Sequence, residues 1–168
     1  MTTATLLPFA EVDVPATRAL QVMGECGPGH GAISTAMEEC FTALMAFARA
    51  HGVTPAGPPR AIYTTMGSDG MAFVVALPIA EDAAVDLDDR VFADVLPGVH
   101  AMCFTHVGPY AELSRTYAEI ESTLRVRGLL STERDWARFM PMWEEYLGDP
   151  ATTPPSELVT HIYLPMAA

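Results

Sequence analysis

The sequence predicts an α+β fold in which a largely antiparallel sheet carries two helices on one face, with two strand-helix-strand-strand copies related by a pseudo-twofold axis and a cleft between them. Three observations lead there. Gly27-Pro28, a helix-like run closed by Gly52, Tyr63 and a strand ending Leu77-Pro78-Ile79 recur in the same order as Gly108-Pro109, a run closed by Gly128, Trp143 and a strand ending Leu164-Pro165-Met166. Two stripes of helical period lie between runs of strand type. The strands are joined by hairpin signals, which favours antiparallel pairing and leaves the second sheet face free to be concave.

After a short lead containing Pro8 and Pro15, Thr17 to Cys26 reads as a strand and Gly27 to Gly31 breaks it. From Ile33, the residues Met37, Cys40, Phe41, Leu44, Phe47 and Ala48 recur at three and four, the stripe of a helix that Gly52 closes. Ala61 to Met66 and Met71 to Leu77 flank Gly67-Ser68-Asp69-Gly70, a hairpin signal. Glu81 to Arg90 is acidic and poor in large apolar residues, so residues 80–90 read as a linker; without a turn glycine they do not make a calcium loop. A strand from Val91, interrupted at Pro97-Gly98, resumes from Val99 to Val107. Pro109 suits a first helical turn, and Tyr110, Leu113, Tyr117, Ile120 and Leu124 continue the stripe to Gly128. Ser131 to Arg138 reads as a polar connection, then Phe139 to Leu147 and Leu158 to Leu164 as strands. The copies thus span about residues 17–79 and 91–166 of one domain covering 1–168.

The 168 residues can bury about two-thirds of their unfolded surface. Half are hydrophobic, yet no apolar run approaches the roughly 20 residues of a membrane span. Met1-Thr2-Thr3 leads into Leu6 and Leu7 without the pattern of a secretory signal, so a cytoplasmic location is expected. Cys26, Cys40 and Cys103 cannot all pair and show no CxxC spacing, which points to reduced thiols. A formal charge of −12 argues against direct binding to nucleic acid or an anionic membrane, although acidity also serves simply to keep an apolar chain soluble. All nine basic residues are arginines.

The densest cluster of functional types is Met140-Pro141-Met142-Trp143-Glu144-Glu145-Tyr146. On a strand, period two places Met142, Glu144 and Tyr146 on one face and Trp143 with Glu145 on the other. Among methionines and aromatics Glu144 loses hydration, which raises the cost of its ionised form; such a group pairs with a cationic ligand or acts as an acid or base. The spacing fits equally well two carboxylates solvated at a sheet edge. His100, Cys103 and His106 are zinc-ligand types, but a strand turns position 103 away from 100 and 106, so no metal is expected. Gly27 to Gly31 lacks both GxGxxG and a P-loop lysine, and Ser34 and Ser114 lack a nucleophile elbow, so no cofactor is expected.

His106-Val107-Gly108-Pro109-Tyr110, Trp143-Glu144-Glu145-Tyr146-Leu147-Gly148-Asp149-Pro150 and Thr160-His161-Ile162-Tyr163-Leu164-Pro165 together resemble the GyrI-like small-molecule-binding family, the effector-binding module of AraC-type and MerR-type regulators. The resemblance runs from about Thr17 to Met166. It implies an aromatic cleft for bulky, often cationic, apolar compounds, with the family's buried glutamate at Glu144 and its tyrosine at Tyr146. Trp143, Met142 and Tyr110 would line the cleft, and the repeat alignment puts Tyr63 at the place matching Trp143. About 16 residues precede the first strand, so a stand-alone module without a DNA reader is expected. Binding or sequestration of a small molecule is the leading expectation. The alternatives are a hydrolase of strained compounds of cyclopropane type, with Glu144 as general base and Tyr146 as hydrogen-bond donor, and a protein-binding regulator such as a gyrase-modulating protein.

Overall fold

The computed structural model describes residues 6–67 and 69–166. Ser68 of the hairpin signal and the lead Met1-Thr2-Thr3 lie outside the described residues. One antiparallel sheet holds β1 (Ala10–Val14), β2 (Thr17–Cys26), β3 (Arg60–Gly67), β4 (Gly70–Pro78), β5 (Val91–Leu96), β6 (Val99–Val107), β7 (Met142–Leu147) and β8 (Val159–Pro165). Helix α1 (His30–Ala50) follows β2, and α2 (Leu113–Val126) follows β6. Among the described residues, no helix is long and apolar enough to cross a membrane.

The spatial order is β1-β6-β8-β7-β3-β4-β2-β5. It reads the same from either end when β1 is exchanged for β5, β2 for β6, β3 for β7 and β4 for β8. The expected duplication is therefore present, with β3 against β7 at its centre. Each copy also has a fifth element, a leading strand that pairs with the opposite copy: β1 with β6, and β5 with β2. The sequence reading left β1 in the lead because prolines bracket it and five alternating residues, Ala10, Val12 and Val14 on one face with Glu11 and Asp13 on the other, are a weak strand signal.

Two further stretches differ from expectation. Residues 133–139 form a 3₁₀ helix opened by a reciprocal capping box of Thr132 and Asp135, and they turn Phe139 into the core instead of running as a polar connection. The seventh strand consequently begins at Met142, not Phe139. Likewise Pro109 opens a 3₁₀ turn, Tyr110–Glu112, so Tyr110 stands outside α2 proper. In the acidic connection, Asp88 Oδ1 accepts the backbone N–H of Arg90 and Val91 and thereby starts β5.

Both helices lie on one sheet face. Leu44 and Phe47 of α1 bury against Leu20, Val22, Phe73 and Val75, while Ile120 and Leu124 of α2 bury against Met102, Phe104, Ile162 and Leu164. Among the described residues the opposite face carries no helix, yet Ala19, Ile62, Ala76 and Trp143 are buried there with Val14, Leu96 and Val99 packed on them. Curling of the sheet accounts for this, because it brings the β1–β2 connection at Pro15-Ala16 against the β5–β6 connection at Pro97-Gly98. A Cβ added to Gly98 would lie 3.1 Å from Ala16 N and Val14 O. The helix-free face is thus a trough with a buried floor.

Helix α1 approaches the sheet over Gly24. A Cβ there would meet Phe73 Cζ at 2.5 Å and Cys40 Sγ at 2.8 Å. Gly24→Ala should destabilise the fold by about 1–3 kcal/mol through overpacking, read as a lower urea midpoint at unchanged m-value; an unaltered midpoint would contradict this close approach.

Candidate functional site

At the centre of the sheet Ala61 faces Glu144, Ile62 faces Trp143 and Tyr63 faces Met142. Cross-strand partners share a face, so Tyr63, Met142, Glu144 and Tyr146 point toward the helices. Glu144 is 3% exposed. Its carboxylate accepts three phenolic hydroxyls: Tyr146 donates to Oε1 at 2.6 Å, while Tyr117 and Tyr63 donate to Oε2 at 2.5 and 3.1 Å. These donors come from β7, α2 and β3, so both copies and one helix converge on a single side chain.

Among the described residues, no arginine or histidine lies within ion-pair distance of Glu144. The hydrogen bonds must therefore offset the cost of burying the group without a counterion. Burial pushes the Tyr63, Tyr117 and Tyr146 hydroxyls well above the ordinary tyrosine range, and the neighbouring Glu144 charge adds to the shift. Each phenol consequently stays a donor.

A second ring of aromatics covers this cluster. Tyr110 and Phe41 both meet the Tyr146 ring edge-on, with centroids 5.4 and 5.7 Å away. Phe41 also borders a hollow of about 330 Å³ on the outer side of α1, lined with Thr42, Met45, Ala46 and Arg49. Phe41 thus touches both this hollow and the Tyr146 ring. Met142 is buried in the α1-side core. His106 anchors the covering turn: Nε2 donates to the Pro109 carbonyl at 3.0 Å, so Nδ1 accepts the Thr116 hydroxyl at 2.6 Å.

The structure brings Tyr63, Tyr110, Met142, Glu144 and Tyr146 together, but not Trp143. Period-two alternation on a regular strand sends its indole to the trough, where it stacks on Tyr163. For the same reason Tyr63 is not the counterpart of Trp143, since Tyr63 points toward the helices and the indole toward the trough. Cys103 also turns to the trough, opposite Tyr163, away from His106. Tyr117 and Phe41 join the site although the sequence marked them only as helix-stripe residues. A hydroxyl on an apolar stripe was the available signal, because a buried phenol needs an acceptor.

Fold and site together define a small-molecule-binding domain. A family model described as the GyrI-like small molecule binding domain matches residues 8–167, and the chain belongs to that family. No curated protein matches the chain. Among solved structures it is similar to the EcmrR C-terminal domain, at TM-score 0.73 and 15% identity over 96% of this chain and 98% of that one. It spans 57% of the EcmrR chain in the DNA complex, at TM-score 0.72 and 16% identity over 95% of its own length. SAV2435, solved bound to tetraphenylphosphonium, aligns at TM-score 0.67 and 11% identity over 96% of this chain and 95% of that one. A hydrolase from Listeria innocua aligns at TM-score 0.56 and 18% identity over 96% and 93%.

Burial also raises Tyr110 and Tyr163, so all five tyrosines resist ionisation in the folded chain. A folded-state value above the unfolded one means stability is complete below about pH 10 and falls as pH rises beyond it. Absorbance at the tyrosinate band should therefore stay low in the native protein at about pH 10.5, while the urea-unfolded chain titrates near its ordinary value of about 10. Coincident native and unfolded titration curves would refute the phenol assignments.

Proposed function

We propose that the chain binds bulky apolar cations against Glu144, between α1 and α2, and holds them as a sequestering or effector-sensing domain. One observation carries this reading: a carboxylate only 3% exposed has three hydroxyl partners and, among the described residues, no cation. Hydrogen bonds offset its desolvation, but its full charge is left for a guest. A lipophilic cation adds Coulomb attraction in a medium of low dielectric, and the faces of Tyr110, Tyr146 and Phe41 offer cation–π contact as these rings move aside. A neutral molecule of the same shape would displace the rings without that gain. The tetraphenylphosphonium bound to SAV2435 supports the same ligand class. The acidic balance of the chain favours cations and disfavours nucleic acid.

Glu144→Gln keeps the shape and removes the charge. Tetraphenylphosphonium affinity should fall by on the order of 2 kcal/mol, about thirtyfold, whereas triphenylphosphine oxide binding should hold nearly constant. Isothermal titration of both compounds into both proteins measures this. Equal weakening of the two ligands would show that Glu144 acts through structure and not charge.

A hydrolytic reading draws on a different observation, the 2.6 Å contact of Glu144 with Tyr146, together with the fold shared with a Listeria innocua hydrolase. In that reading Glu144 takes a proton from water as the water oxygen bonds to a ring carbon, a ring C–C bond breaks with its electron pair passing to the activating group, and Tyr146 supports the negative charge that develops there. Incubation with an activated cyclopropane followed by mass analysis separates the two: turnover that Glu144→Gln abolishes while binding persists would favour the enzyme.

A further inference from the structure

The trough on the helix-free face carries chemistry that the Glu144 cluster does not use. Across the register His161, Glu145 and Arg60 form one row, and Tyr163, Trp143 and Ile62 form the next. Trp143 and Tyr163 stack with centroids 4.8 Å apart and planes 14° from parallel, and the Arg60 guanidinium carbon lies 5.7 Å from the Trp143 ring centroid. Glu145 Oε1 accepts the Tyr163 hydroxyl at 3.3 Å. Arg60 Nε lies 3.8 Å from the same carboxylate, an ion pair without a hydrogen bond, and His161 Nδ1 lies 3.5 Å from it, also without a hydrogen bond.

Four buried polar side-chain atoms among the described residues have no hydrogen-bond partner in the protein, and three of them meet here: Arg60 Nε, Trp143 Nε1 and His161 Nδ1. Trp143 is 6% exposed, and an indole N–H can only donate. Buried donors without partners are costly, so Arg60 Nε and Trp143 Nε1 are the groups on this face that gain most from an added acceptor. The charge balance narrows the choice. Arg60 is compensated by Glu145, so an anion would gain little from the guanidinium and would meet the carboxylate, while a cation would meet the guanidinium.

We propose that this trough is a second binding site, for a neutral planar aromatic that carries a carbonyl, as in aromatic amides and lactams. The carbonyl oxygen takes the Trp143 and Arg60 N–H groups, both sealed from solvent and reached as the Trp143–Tyr163 stack shifts, an amide N–H gives to Glu145, and the ring lies on the apolar floor at Ile62. Because Glu144 and Glu145 are neighbours on β7, the two sites lie back to back across one strand, with opposite ligand preferences.

Benzamide is the probe, titrated into a Trp136→Phe background in which Trp143 is the sole indole. A saturable change in Trp143 fluorescence with Kd on the order of 1 mM suits a ligand of that size. Calorimetry on Trp143→Phe should give about fivefold weaker binding, the size of one net hydrogen bond. Arg60→Met should weaken it at least as much, and benzoate should bind roughly tenfold more weakly than benzamide because of Glu145. Circular dichroism checks each variant, and if Trp143→Phe does not fold, Arg60→Met decides. Absence of saturation by about 20 mM, benzoate binding as tightly as benzamide, or affinity that follows Glu144→Gln instead of the trough variants would each overturn the proposal.

Discussion

Glu144 and its three phenols are the constraint around which the two copies are assembled. A carboxylate sealed from water is tolerable only if its lone pairs are met, and the donors here come from β3, β7 and α2. Moving any of those elements would leave a buried charge short of partners. The packing of one copy against the other is therefore dictated by polar geometry as well as by apolar area. Tyr117 illustrates this, since it packs against both helix-side cores while its hydroxyl is spent on Glu144.

The alternation of β7 divides the molecule chemically. Its even residues, Met142, Glu144 and Tyr146, serve the helix side, where the negative group has hydroxyl partners and no cation among the described residues. The odd residues, Trp143 and Glu145, serve the trough, where charge is already balanced and the unmatched groups are mostly donors. A shift of register by one residue would exchange these environments and bury Glu145 without its arginine, so the two faces protect one another's pairing.

Much of this was legible in the sequence because repeated landmarks and helical stripes are local patterns that survive any later packing. Period two alone separated Glu144 from Trp143, whereas lining up aromatic landmarks between the copies wrongly equated Tyr63 with Trp143. The leading strand β1 escaped because its partner, β6, is about ninety positions away and five residues of mixed polarity carry little signal on their own. Phe41 and Tyr117 escaped as site residues for a related reason: a helix stripe reports which side is buried, not which of its members meet a carboxylate from a distant strand. Trp136 was hidden by the polar residues around it, since the capping box of Thr132 and Asp135 resembles a solvated connection until it closes, and Phe139 was read into the strand that follows.

The exchange of leading strands between the copies has a consequence for how the chain comes to be folded. During synthesis residues 10–14 leave the ribosome early, yet the backbone groups they pair with, at 99–103, follow some ninety residues later. Until then this edge has no ladder to join, and the N-terminal copy also lacks the β5 that covers β2. Such distant pairing raises contact order and slows folding, and it ties the first copy's completion to arrival of the second. The duplication therefore did not leave two independent folding units, because each half borrows its outermost strand from the other.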